Sequence, residues 1–90
     1  NVKIGGGVKI FDTDFHSLDP KIRASKEDIL HRAKAPVVIK ENAFLGAGAM
    51  ILKGVTVGEN SIVGAYSLVT KDIPDNQIWG GNPAKFIKNV

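Results

Sequence analysis

Residues 37–72 divide into six hexads, VVIKEN AFLGAG AMILKG VTVGEN SIVGAY SLVTKD, and the third place of each is aliphatic: Ile39, Leu45, Ile51, Val57, Val63 and Val69. Neither a helix, with a period of about 3.6, nor an ordinary strand, with a period of about 2, asks for a spacing of six. A hexapeptide period is the signature of a parallel β-helix, in which each short strand is one side of a repeating coil. The first place of each hexad is small or β-branched: Val37, Ala43, Ala49, Val55, Ser61 and Ser67. The large residue is expected to fill the interior and the small one to fit the tight corner. Glycine follows the aliphatic residue at Gly46, Gly58 and Gly64. It is read there as a corner residue that tolerates positive φ, and valine at Gly64 is expected to crowd its corner.

The pattern extends outward in both directions. Val2-Lys3-Ile4-Gly5 and Val8-Lys9-Ile10 repeat it upstream, and residues 11–36 interrupt it. The expected organisation is a single all-β domain over 1–90, with an inserted active-site loop at 11–36, hexapeptide coils at 37–73 and a tail at 74–90. A run of ordinary strands in a sandwich would not hold one spacing six times. The chain opens at Asn1 inside a hexad, and it is read as the C-terminal part of a longer protein whose missing coils or partner subunits cover the open strand edges.

Composition excludes several classes. There is no cysteine, hence no disulfide framework and no thiolate metal site. This fits a reducing compartment, and the expectation is a cytoplasmic protein. No apolar run approaches the roughly 20 residues of a membrane span. Net charge is +3, with the lysines scattered among acids. Without a dense basic run or an aromatic ladder, nucleic acid is a poor partner; a small anionic ligand suits the charge better.

The interrupting stretch is long for a loop in a compact domain, and such loops are often functional. Ser25 and Asp28 form a capping-box-like pair, and Pro36 ends any helix by about Ala35, so a short helix is expected over 25–35. His31 falls on it among Arg32 and Lys34 and reads as a solvated histidine. His16 sits instead among Asp12, Thr13, Asp14 and Asp19. An imidazole with a pKa near about 6.5 can accept a proton at neutral pH. By composition alone it reads equally as a loop histidine bonded to its neighbours.

Three segments resemble the left-handed β-helix acyltransferases, in the branch containing galactoside, maltose, nodulation and polysaccharide O-acetyltransferases. Thr13-Asp14-Phe15-His16-Ser17-Leu18-Asp19-Pro20-Lys21-Ile22-Arg23 is similar to that branch's T-x-x-H-x-x-D-P-x-x-R. The hexads from Pro36 to Thr70 continue into Lys71-Asp72-Ile73-Pro74, and Gly81-Asn82-Pro83-Ala84-Lys85 looks like the G-N-P-A-K/R ending. Hexads alone specify only the fold; the loop and the ending in this order are far more specific. The resemblance implies a left-handed coil, an exception to the right-handed rule for parallel crossovers. It also implies a homotrimer with active sites shared between subunits, and acetyl-CoA as acyl donor with no metal.

It further implies roles for named residues. His16 is the general base for an acceptor hydroxyl, and backbone N–H groups of the coil steady the oxyanion. Asp12 and Asp14 are both candidates to orient the base, the family pattern pinning neither, and Asp14 is also a candidate to meet the acceptor. Asp19 and Arg23 read at least as well as braces of the loop. Pantetheine would run along the corners Gly46-Ala47 and Gly64-Ala65, which are also small because a β-helix corner requires it. Thr70 and Lys71 match positions near the cofactor's polar groups, and Lys85 and Lys88 match basic positions near its nucleotide end; an equal reading is solvated surface lysine. Phe44 stands where relatives carry Trp at the edge of the acceptor site, or it packs on the surface. Trp79 covers the last coil or touches the cofactor. The tail at 74–90 is thus on the cofactor side.

Ser17 stands where Pro often follows the histidine, one extra residue lies between Ile10 and Thr13, and the section from Arg23 to Pro36 is not the usual one. These departures touch the acceptor side. The expected function is acetyl transfer to a hydroxyl of a sugar or polysaccharide precursor. Transfer to an amino sugar or other small acceptor, and a non-catalytic β-helix that only assembles, are the alternatives. A γ-carbonic-anhydrase-like hydratase needs three histidines, and this chain has His16 and His31 alone.

Overall fold

The computed structural model describes residues 1–11 and 36–90. The expectations for His16, Asp14, Asp12, Asp19, Arg23, His31 and a helix over 25–35 lie outside the described residues. Ten strands follow in order: β1 Lys3–Ile4, β2 Lys9–Ile10, β3 Val38–Ile39, β4 Phe44–Leu45, β5 Met50–Ile51, β6 Thr56–Val57, β7 Ile62–Val63, β8 Leu68–Val69, β9 Gln77–Gly80 and β10 Lys85–Asn89. They make three faces: β1-β4-β7-β9-β10, β2-β5-β8 and β3-β6. Each of β4 to β6 pairs in parallel with the strand one coil away, eighteen residues on for β4–β7 (Phe44 to Ile62) and for β5–β8 (Met50 to Leu68). This is a parallel β-helix, all-β through the described residues and consistent with the left-handed kind.

The interior is the hexad pattern made solid. Leu45, Ile51, Val57, Val63 and Val69 are fully buried, with Ala43, Ala49, Val55, Ser61 and Ser67 beside them. Each aliphatic side chain removed from water contributes about 1.5–3 kcal/mol. Stacking joins them into columns: Leu45 lies under Val63, Ile51 under Val69, Ile39 under Val57. At the lower end, Ile4 and Ile10 occupy the same columns and are exposed.

Two irregularities in count position everything else. Lys3 pairs with Phe44, a separation of forty-one rather than eighteen. The additional residues lie between β2 and β3, at the corner between the second and third faces. At the upper end Val57 bridges Ile73 and Val63 pairs with Trp79, sixteen residues on. The corner after β8, Thr70-Lys71-Asp72, is therefore two residues short. Counting by six from Val69 would place Asp75 inside; the interior instead takes Ile73, 2% exposed.

The corners correct one expectation. Gly46, Gly58 and Gly64 do not carry the positive φ. That conformation falls later in each corner, on Asn42, Asn60 and Asn76 (φ 61°, 61° and 59°), on Gly48 and Gly54 (73° and 74°), and on Tyr66 (57°). Gly46 serves close approach instead. A Cβ there would lie 2.6 Å from the Ala65 nitrogen, and one at Gly58 2.5 Å from the Asp75 nitrogen. At Gly64 the nearest atom is Ser67 Oγ at 3.4 Å, an ordinary contact, so Gly64 is the least crowded of the three.

Buried serines adapt the regular coils to the shortened one. In the lower coil the Ser61 N–H donates to the Gly58 carbonyl at 3.2 Å. One coil up, the Ser61 hydroxyl stands between the matching groups: it donates to the Pro74 carbonyl and accepts from the Gln77 N–H. Ser67 Oγ likewise accepts from the Gly81 N–H at 3.0 Å. Both hydroxyls are thereby satisfied where an orphan would be costly.

The tail breaks the parallel pattern. Gly81-Asn82-Pro83-Ala84 passes over β8, where the Leu68 N–H donates to the Gly81 carbonyl at 3.0 Å and the Ala84 N–H to the Leu68 carbonyl at 2.8 Å. The chain then returns as β10, antiparallel to β9, with Lys85 opposite Gly80, Lys88 opposite Ile78 and an irregularity between Phe86 and Lys88. Trp79 packs against the top of the core, and its indole N–H donates to Gln77 Oε1 at 2.9 Å. Nothing periodic announces this hairpin.

Candidate functional site

The shortened corner and the returning tail enclose a groove of about 240 Å³ lined by Thr70, Lys71, Trp79, Pro83, Ala84, Lys85 and Phe86. Thr70 and Lys71 come from the corner after β8, Pro83 and Ala84 from the crossing over β8, and Lys85 and Phe86 from the start of β10. The walls are an indole, a phenyl ring and a proline; the rim holds two ammonium groups. Among the described residues neither lysine is paired with a carboxylate. The nearest acid in sequence, Asp72, is engaged with the Thr56 N–H at 2.8 Å. The groove thus presents uncompensated positive charge beside apolar surface, the chemistry of a site for an anion attached to a flat or apolar group.

A second feature lies at the other edge of the same face. Gly46-Ala47 and Gly64-Ala65 stack in one corner column, with Gly5-Gly6 below and Gly80-Gly81 above: Gly5 N–H donates to Leu45 O, Gly46 N–H to Val63 O and Gly64 N–H to Trp79 O, each at 2.8 Å. Those amides are spent on the coil. The N–H groups of Ala47 and Ala65 are not: among the described residues neither meets a protein acceptor. At the matching place of another corner the Glu59 N–H is taken by Asp75 Oδ1 at 2.7 Å. The column therefore offers two stacked backbone donors that the fold leaves open, and backbone N–H groups are strong donors that seek a partner.

The expected site residues therefore divide. Thr70, Lys71 and Lys85 come together in the groove. Gly46, Ala47, Gly64 and Ala65 form the column. Lys88 sits on β10 opposite Ile78, outside the groove lining. Phe44 points outward from the first face, 46% exposed, in a row with Lys3 and Ile62. His16 and Asp14 lie outside the described residues, whose last member before them is Phe11. The Phe11 N–H donates to Ile51 O and the Leu52 N–H to Val69 O, so Phe11 stands two coils below Thr70 on one corner. At about 4.8 Å per coil that is about 10 Å.

Sequence reasoning missed Phe86 and gave Pro83 and Ala84 no role beyond their motif. The alternation Lys85-Phe86 in the tail was the available signal. Trp79 packs on the core, as one of its two expected roles has it, and also lines the groove. Among the described residues no helix is long and apolar enough to cross a membrane.

Comparison with known proteins bears on the family and the fold. The family described as bacterial transferase hexapeptide (six repeats) matches residues 36–71. The chain is 47% identical over its 90 residues to a galactoside O-acetyltransferase of Lactococcus lactis, and it spans 41% of that protein's length. The crystal structure of a maltose O-acetyltransferase from Clostridium difficile superposes with a TM-score of 0.89 at 38% identity, over 100% of this chain and 46% of that one. A galactoside acetyltransferase in complex with coenzyme A superposes with a TM-score of 0.74 at 33% identity, over 99% of this chain and 45% of that one.

Proposed function

This chain belongs to the hexapeptide-repeat transferase family, and on that footing we propose that it is part of an acetyl-CoA-dependent O-acetyltransferase acting on a hydroxyl of a sugar or polysaccharide precursor. The observation that carries the reading is its 47% identity to a galactoside O-acetyltransferase along its whole length. The groove supports it chemically. Lys71 and Lys85 suit the phosphates of coenzyme A, and the Trp79, Pro83 and Phe86 walls suit its adenine. The open Ala47 and Ala65 N–H groups suit the amide carbonyls of an extended pantetheine arm.

Acetyl-CoA supplies the acyl group as an activated thioester. His16, as neutral imidazole, takes the proton of the acceptor hydroxyl while that oxygen bonds to the thioester carbonyl carbon. The carbon–sulfur bond then breaks, and the proton passes from His16 to the departing thiolate. Asp14 orients the ring or meets the acceptor, and Phe44 borders the acceptor on the first face. The working unit in this reading is a homotrimer in the cytoplasm, where the donor is available. Outward apolar rows such as Phe44-Ile62 and Met50-Leu68 suit contact with other copies.

The test is thiol release from acetyl-CoA by the longer protein containing this chain, with a panel of sugars and amino sugars, for wild type and His16→Ala. Sugar-dependent release that falls by at least about a hundredfold in the variant is expected. A rate that climbs with pH fits a base that must be neutral to act. Release that survives the substitution moves the base elsewhere, and release only with amino sugars turns the reading to N-acetylation.

A further inference from the structure

We propose that Tyr66 is a ligand-contacting residue of the corner column, an aromatic plate against which the extended chain of the acyl donor lies; this rests on the acetyl-CoA reading above. The backbone gives the first reason. Tyr66 has φ 57°, where the coils below carry Gly48 and Gly7, both at 73°. A bulky side chain in this region is strained, and such outliers gather at ligand sites.

The ring gives the second. It is 79% exposed, so the strain is not offset by burial in the core. The ring nevertheless lies against the coil below. A Cβ on Gly48 would fall 2.5 Å from both Cδ1 and Cε1 of Tyr66, so the ring rests over the glycine, which is a fitted seat. The surroundings give the third. Tyr66 follows Ala65, whose N–H is open, and its own N–H donates to the Ala47 carbonyl at 2.8 Å. The ring, resting over Gly48, therefore lies on the corner column that carries the two unpaired donors. An extended amide chain hydrogen-bonded to those donors would lay its methylene groups along the phenol face.

Coenzyme A binding to the longer protein containing this chain by titration calorimetry, read together with thermal midpoints, tests the assignment on wild type, Tyr66→Gly and Tyr66→Phe. Glycine restores the residue that the coil below carries at this φ, so the expected midpoint is unchanged or higher. The expected dissociation constant rises about three- to tenfold, while Tyr66→Phe binds as wild type does. Wild-type affinity in Tyr66→Gly overturns the proposal, and so does a loss of affinity that comes with a lower midpoint, which would make the ring a structural prop. A wild-type longer protein that takes up no coenzyme A defeats the acetyl-CoA reading, and this proposal with it; that failure shows in the wild type alone and is distinct from the others.

Discussion

The three glycines that follow an aliphatic residue look alike in sequence and differ in space. At Gly46 any side chain meets the Ala65 backbone, whereas Gly64 has ordinary room. Gly46→Ala is therefore expected to cost about 1–3 kcal/mol, since backbone must shift to admit the methyl group. Gly64→Ala is expected to be neutral or to gain a few tenths, through a less mobile unfolded chain. Urea unfolding of the two variants checks the contrast; equal losses would mean that the corners yield alike. The reason assigned to these glycines from sequence, positive φ, belongs instead to Asn42, Asn60 and Asn76, residues whose short polar side chains tolerate that region. The asparagines recur at one corner, Asn60 and Asn76 joined by a side-chain hydrogen bond of 2.9 Å. That signal was present in the letters and is overshadowed by the louder glycines.

At the scale of elements, the hexad strands are legible because each puts one aliphatic residue in the interior at a fixed period. The last coil is not, because the short Thr70-Lys71-Asp72 corner resets the count and hands the interior to Ile73 and Trp79. The hairpin of β9 and β10 is hidden for a different reason: its pairing is antiparallel, and its exposed residues carry no period. Yet these two irregular elements build the groove, so the candidate site stands where the repeat fails. Thr70, Lys71 and Lys85 were legible only through resemblance. The lysines act here as point charges on exposed stems. Lys71→Ala with Lys85→Ala is expected to raise the KM for acetyl-CoA about tenfold and to flatten its dependence on salt, with kcat little changed. Kinetics at two ionic strengths read both effects. A fall in kcat at constant KM would remove the lysines from donor binding.

Considered as a whole, the molecule is a stack whose layers touch only their neighbours, so its stability is close to a sum of layers and interfaces. Its lower layer has Ile4 and Ile10 in the interior columns, 56% and 44% exposed. Its upper layer is finished differently. The backbone of β8 is met by Gly81 and Ala84, β9 is met by β10, and the Val90 N–H reaches the Asn76 carbonyl at 2.8 Å.

A stacked coil is, in effect, a template: each layer presents the hydrogen-bonding edge on which an identical layer would fit, which is the geometry of a growing fibril. The sixteen-residue coil and the strand that doubles back over it make the upper end a poor template, because a further coil of eighteen has neither matching register nor free edge. The tail is then a growth terminator as well as a wall of the groove. Removing residues 81–90 is expected to leave the buried columns intact and to expose Leu68 and Trp79 backbone to other chains. Light scattering should record end-to-end association of the shortened chain that the 90-residue chain at the same concentration does not undergo. A shortened chain that stays at its original size would assign the stop to the sixteen-residue coil alone.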